Sequence, residues 1–120
     1  VVLDYEQYVL QDGDQISIVY TDNPVVSLNT NFGSILIELV EDETPGTVDN
    51  FLNYVNDGDY VNSFIHRSVP GFVIQGGGFL TTDITFTSTD QFSPVPTDPA
   101  IPNEILYSNL RGTLSLENTF

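Results

Sequence analysis

Between Phe64 and Phe79 the chain reads Phe-Ile-His-Arg-Ser-Val-Pro-Gly-Phe-Val-Ile-Gln-Gly-Gly-Gly-Phe, and this run restricts the fold more than any other. Phe64–Arg67 and Phe72–Gln75 are aromatic and β-branched, which suits a pleated, half-buried surface. The segment between them, Ser68–Gly71, contains Pro-Gly, a pair that turns a chain. Two short strands joined by a tight turn are expected. The glycines Gly76–Gly78 read as a tight backbone bend; with no helix following, they make a poor phosphate cradle. The same run holds the one histidine, His66, and one of two basic residues, Arg67, against seventeen acidic ones. The second cation, Arg111, opens another patterned run, Arg111-Gly112-Thr113-Leu114-Ser115-Leu116.

That charge balance excludes several functions. A formal charge of −15 repels nucleic-acid phosphates and anionic membrane surfaces alike. No apolar run approaches the ~20 residues that span a bilayer, so membrane insertion is not expected. The chain has no cysteine, which removes disulfides, thiolate metal sites and a thiol nucleophile. Its 120 residues and 40% apolar content are enough for one domain with a real core, or one domain plus an arm. A start at Val1 without methionine reads as a processed, excised or partial polypeptide. Absence of Cys, Met, Trp and Lys, with abundant Asp, Thr and Asn, suits an exported or saline setting.

Residues 1–24 carry their own pattern and are expected to form an N-terminal β arm, with 25–120 as the main domain. Within the arm, Ile16–Tyr20 reads as a strand after the turn-like Gln11–Asp14, and Thr21–Pro24 breaks the chain. Val25–Thr30 and Ser34–Val40 read as a hairpin around Asn31-Phe32-Gly33, with Ile35, Ile37 and Leu39 on one face. A helix follows. Thr44 suits its N-cap and Pro45 its first position. The acidic Glu41–Glu43 lie near the positive end of its dipole. Val48, Phe51, Leu52 and Val55 form one stripe, and Gly58 stops it. Residues 81–102, rich in Thr, Ser, Asp and Pro, read as an extended surface loop with a short strand near Ile84–Phe86. Gly112–Leu116 reads as a final strand. One helix among short antiparallel strands points to a mainly β barrel or sandwich, the helix capping one end.

These residues resemble the cyclophilins, barrel-type peptidyl-prolyl cis-trans isomerases. Asn31–Leu39 looks like the family's opening hairpin and Pro45–Phe51 like the start of its first helix. Phe64–Phe79 matches the central motif almost throughout, and Pro102-Asn103-Glu104 and Arg111-Gly112-Thr113 fit the next two blocks. The short form after Gln75 is similar to bacterial exported members. The resemblance runs from about Val25 to Thr119. It implies a cyclophilin-like antiparallel barrel, present in part, no cofactor or metal, and proline-containing peptides or unfolded proteins as substrates. It also implies Arg67 as the catalytic side chain, Phe72 as the floor of the proline pocket and Gln75 as a hydrogen-bonding anchor for substrate backbone. His66 falls at the rim, Leu116 at an apolar pocket wall, and Glu117 and Asn118 where substrate backbone docks.

The chemistry has its own logic. Rotation about an X–Pro bond faces a barrier of ~20 kcal/mol because amide resonance must be broken. In the twisted transition state the prolyl nitrogen regains its lone pair. A guanidinium can donate to that lone pair without losing its proton, unlike a histidine. Each residue also has a plainer reading. A lone Arg beside strands is usually a surface residue, an isolated Phe is usually core, and His66 reads as a structural or rim residue rather than an acid–base catalyst. Asp12, Asp14 and Glu41–Glu43 lack the ligand spacing of a calcium loop, so solvated charge is the stronger reading. Pro94, Pro96 and Pro99 stiffen a loop rather than form a docking ligand. The Ser/Thr density over 81–98 also suits O-linked sugars.

The chain departs from the family in two respects. Glu117 stands where a small residue is usual, and an acid there can pair with Arg67. The resemblance also stops before the family's later strands, second helix and remaining pocket aromatics. A part-barrel exposes strand edges. Those edges can be completed by a longer chain, by another polypeptide, or by the 1–24 arm adding strands to a neighbouring copy. The last route is head-to-tail and builds filaments. Beside the isomerase reading therefore stands a second one: a cyclophilin-derived structural module with weak or no catalysis, assembled outside the cell by strand exchange.

Overall fold

In the computed structural model the described residues are 22–83, 85, 87, 88, 91–105 and 108–116. The expected arm strand, the expected strand at Ile84–Phe86 and the positions of Glu117 and Asn118 lie outside them. The described residues are mainly β, with five strands in two antiparallel sheets and one helix, in the order β1 (Val25–Thr30), β2 (Gly33–Glu38), α1 (Pro45–Asp57), β3 (Ser63–Val69), β4 (Val73–Thr81) and β5 (Phe92–Pro94). Among the described residues no strand ladder joins the two sheets. The chain divides into two compact units, residues 1–48 with 102–120, and residues 49–101.

The first unit contains the β1–β2 hairpin, paired from Val25↔Glu38 to Thr30↔Gly33. Its alternation follows the sequence: Ile37 and Leu39 are buried and Ile35 partly so, while Ser34 and Leu36 face outward. Thr30 closes the turn, its hydroxyl donating to the Gly33 carbonyl at 2.8 Å and accepting the Phe32 N–H at 3.1 Å. The Asn23 side-chain amide donates to Glu38 Oε1 at 2.9 Å and ties down the hairpin's open end.

The start of α1 keeps the expected positions: Pro45 is its first residue, and Thr44 stands at the N-cap, its carbonyl accepting the Val48 N–H at 3.0 Å. The Thr44 hydroxyl donates to the Val40 carbonyl at 2.9 Å. The first free N–H groups of the helix are met by the Glu104 carboxylate, which accepts from Gly46 at 3.2 Å and Thr47 at 2.8 Å. The other end follows the sequence. The Asp59 N–H bonds to the Tyr54 carbonyl and the Gly58 N–H to the Val55 carbonyl, the paired bonds of a Schellman stop.

In the second unit the sheet order is β3-β4-β5. β5 corrects the reading of 81–102 as loop: Phe92–Pro94 pairs with Phe79–Thr81, and Val95 beyond it is buried and donates to the Gly78 carbonyl. Pro94 obscures this strand in the sequence, yet an edge strand tolerates a residue with no N–H. Gly112–Leu116 is also corrected. It is not a strand; the Thr113 N–H and hydroxyl both bond the Leu110 carbonyl, forming a turn. β-propensity alone does not make a strand without a partner for its ladder.

Candidate functional site

The site is built by the β3–β4 hairpin. Pro70 and Gly71 occupy the middle of its turn, Gly71 at φ +75°, and the Phe72 N–H bonds to the Val69 carbonyl at 3.0 Å. Pro followed by a residue at positive φ inside such a closing bond is what a type II turn requires. The turn therefore spans Val69 to Phe72, one step later than the expected Ser68–Gly71. Phe72 sits on the turn itself, 76% exposed, rather than inside a strand.

This geometry brings three of the expected residues together. Arg67 and Gln75 are direct cross-strand partners. Arg67 Nη1 donates to Gln75 Oε1 at 2.7 Å, a short bond consistent with a charged donor. The guanidinium carbon lies 5.7 Å from the centre of the Phe72 ring, within cation–π range. Register shifts between Ser63, Ile65 and Arg67 interrupt the ladder just before the arginine, and such bulges re-aim side chains beside functional sites.

The glycine run is a close-packing bend, as expected from the sequence. A Cβ on Gly76 would meet Ile65 Cδ1 at 2.8 Å, and one on Gly77, at φ +77°, would meet the Tyr60 ring at 3.0 Å. Tyr60 also packs on Phe51 and Tyr54, each with ring centroids 5.6 Å away. Burial, and then the neighbouring Tyr54 and Asp59, push its phenol up to about 12.

His66 joins a different cluster. Its ring meets Phe79 edge-on at 5.4 Å. Together with Phe64, Phe92 and Pro94 these rings line an open groove of about 440 Å³. Leu116 is partly buried and belongs to the first unit. Among the described residues no group of three His, Asp or Glu side chains is placed to hold a metal ion, and no helix is long and apolar enough to cross a membrane.

One residue was visible in the sequence without its role. Glu104 belongs to the Pro102-Asn103-Glu104 block, but nothing local announces that it caps a helix starting at Pro45. The Thr47 N–H, the Thr47 hydroxyl and the Gly46 N–H hold its carboxyl below the usual carboxylate range. Gly46 leaves room for it, since a Cβ there would sit 3.3 Å from Glu104 Oε1.

Comparison with known proteins identifies a family. The family model described as cyclophilin type peptidyl-prolyl cis-trans isomerase/CLD matches residues 25–120. Peptidyl-prolyl cis-trans isomerase A of Dickeya dadantii (strain 3937) is 37% identical over 101 residues, covering 82% of this chain and 48% of the relative. Peptidyl-prolyl cis-trans isomerase B of Escherichia coli (strain K12) is 38% identical over 97 residues, covering 79% of this chain and 54% of the relative. Peptidyl-prolyl cis-trans isomerase cyp18 of Streptomyces antibioticus is 50% identical over 64 residues, covering 53% and 38% respectively. The chain thus spans about half the length of the curated relatives it matches, or less. No solved structure matches it significantly.

Proposed function

We propose, because this chain belongs to the cyclophilin-type peptidyl-prolyl cis-trans isomerase family, that it catalyses rotation about X–Pro bonds in proline-containing polypeptides. The observation that carries this reading is the Arg67 guanidinium, bonded to Gln75 and lying over the exposed Phe72 ring. Gln75 fixes one edge of the guanidinium by accepting from Nη1. The group's remaining N–H donors can then serve substrate. The prolyl ring docks on Phe72, and as the preceding amide twists, Arg67 donates to the nitrogen lone pair that resonance no longer occupies. No bond to the protein forms or breaks.

The magnitude is modest per contact. One charge-assisted hydrogen bond contributes ~1.5–3 kcal/mol, which is roughly one to two orders of magnitude in rate. The remainder comes from holding the ring on an apolar surface while the preceding carbonyl swings. Within the same reading, His66 and Leu116, with Glu117 and Asn118, contact substrate, residues 25–120 form the isomerase domain, and the cysteine-free acidic composition favours an exported protein.

The test is exchange spectroscopy on a short X–Pro peptide with catalytic amounts of the protein. Faster cis-trans exchange than in buffer is expected. A rate equal to the uncatalysed one sinks the reading.

A further inference from the structure

The chain's charge is out of proportion to what solubility needs, a magnitude of about 2–8 for a small domain. Seventeen carboxylates face two guanidinium groups, for a formal charge of −15. These acids are spread along the sequence. Asp22, Glu41, Asp42, Glu43, Asp49, Asp57 and Asp98 are all exposed. In the unit that carries the site, residues 49–101, Arg67 is the one Lys or Arg, and its charge is already engaged by Gln75 and Phe72. On the hairpin face that carries Arg67 and Gln75 the neighbouring side chains are apolar, with Phe72 at 76% and Val69 at 37% exposure. Contacts at the site therefore read proline and apolar neighbours. They carry no preference for charge beyond that one arginine.

We infer that selection among proline-containing substrates is made by the summed field of this chain's carboxylates, which draws in segments rich in Lys or Arg and turns away acidic ones. This rests on the isomerase reading and adds the substrate class to it. The summed charge of a protein creates a potential that attracts oppositely charged partners, and the gain in encounter rate runs from ~10 upward as clefts of one sign focus it; with an apolar site the gain here is set at about tenfold. The effect reaches as far as salt allows, about 30 Å at 0.01 M but about 3 Å at 1 M. A field of this kind differs from a binding subsite in one testable respect: it is insensitive to where along the substrate the charge sits.

The experiment uses three peptides with one shared X–Pro core: uncharged, with two Lys four residues from the proline, and with two Glu at the same places. At 10 mM salt, kcat/KM for the Lys peptide is expected to exceed that for the Glu peptide about tenfold or more. At 1 M salt the two converge to within about twofold. Moving the Lys pair two residues further out preserves most of the preference. Neutralising three exposed carboxylates, Glu41→Gln, Asp42→Asn and Asp49→Asn, takes the formal charge from −15 to −12. It should narrow the low-salt preference and leave the uncharged peptide's rate unchanged. Equal rates for the Lys and Glu peptides at 10 mM salt overturn the inference, as does a preference that vanishes when the Lys pair is moved. Failure to accelerate the uncharged peptide counts against the isomerase reading instead; peptide binding measured by fluorescence anisotropy then decides the charge preference on its own.

Discussion

Arg67 owes its position to the residue directly across the ladder. Gln75 is its cross-strand partner and its hydrogen-bond acceptor, so the two act as one unit. Gln75→Leu keeps the bulk and removes the acceptor. It should lower kcat/KM by up to about tenfold, chiefly through kcat, with the fold intact by circular dichroism. Unchanged kinetics would mean that the guanidinium is not held by this bond. Gly77 is as constrained as any side chain in the hairpin, with φ +77° and the Tyr60 ring at 3.0 Å from a would-be Cβ. Gly77→Ala should cost about 1 kcal/mol or more, read as a lower urea midpoint at unchanged slope; an unaltered midpoint contradicts the bend described. At this scale the sequence is legible because the cues are local. Pro-Gly specifies its own turn, and cross-strand neighbours follow from the turn. His66 shows the limit of that logic. It adjoins Arg67 in sequence, yet joins an aromatic cluster with Phe64 and Phe79, because strand neighbours project differently and the bulges here alter even that pattern.

Helix α1 separates what periodicity reveals from what it conceals. Its apolar spacing, its Pro45 start and its Gly58 stop can all be read from the sequence. Its cap cannot, because Glu104 reaches the Gly46 and Thr47 N–H groups from a distant segment. The alternation of Ile35, Ile37 and Leu39 likewise identifies β2, whereas β5 is three residues long and contains a proline. Gly112–Leu116 has strand-like residues but is not a strand, because pairing partners are not written in a strand's own sequence. The Glu104 cap has a pH signature. Its carboxyl is held down in the folded state, chiefly by the Thr47 N–H, so the unfolded state binds the proton more readily. The stabilisation is complete above the ordinary carboxylate pKa of ~4.3 and is lost as pH falls through the depressed folded value. Glu104→Ala should lower the melting temperature at neutral pH, and the gap from wild type should close as acid protonates the carboxyl. A gap that stays constant across this range would show that the carboxylate does not cap α1.

At the scale of the whole molecule, a motif within Phe64–Phe79 pointed to the family that the match over residues 25–120 establishes. The organisation into two sheets was less legible, because it depends on which strands find partners rather than on which segments favour extension. Function at this scale joins a local apolar site bearing one guanidinium to the summed field of the chain's carboxylates. In the function proposed above the first supplies rotation about the prolyl bond, and in the inference drawn from the charge the second supplies the choice of substrate. The first is tested most directly by the exchange rate of one uncharged X–Pro peptide, measured with wild-type protein and with Arg67→Ala at matched fold. The account predicts acceleration by the wild type and a loss of roughly ten- to a hundredfold in the variant. Acceleration that survives undiminished without the guanidinium would contradict it.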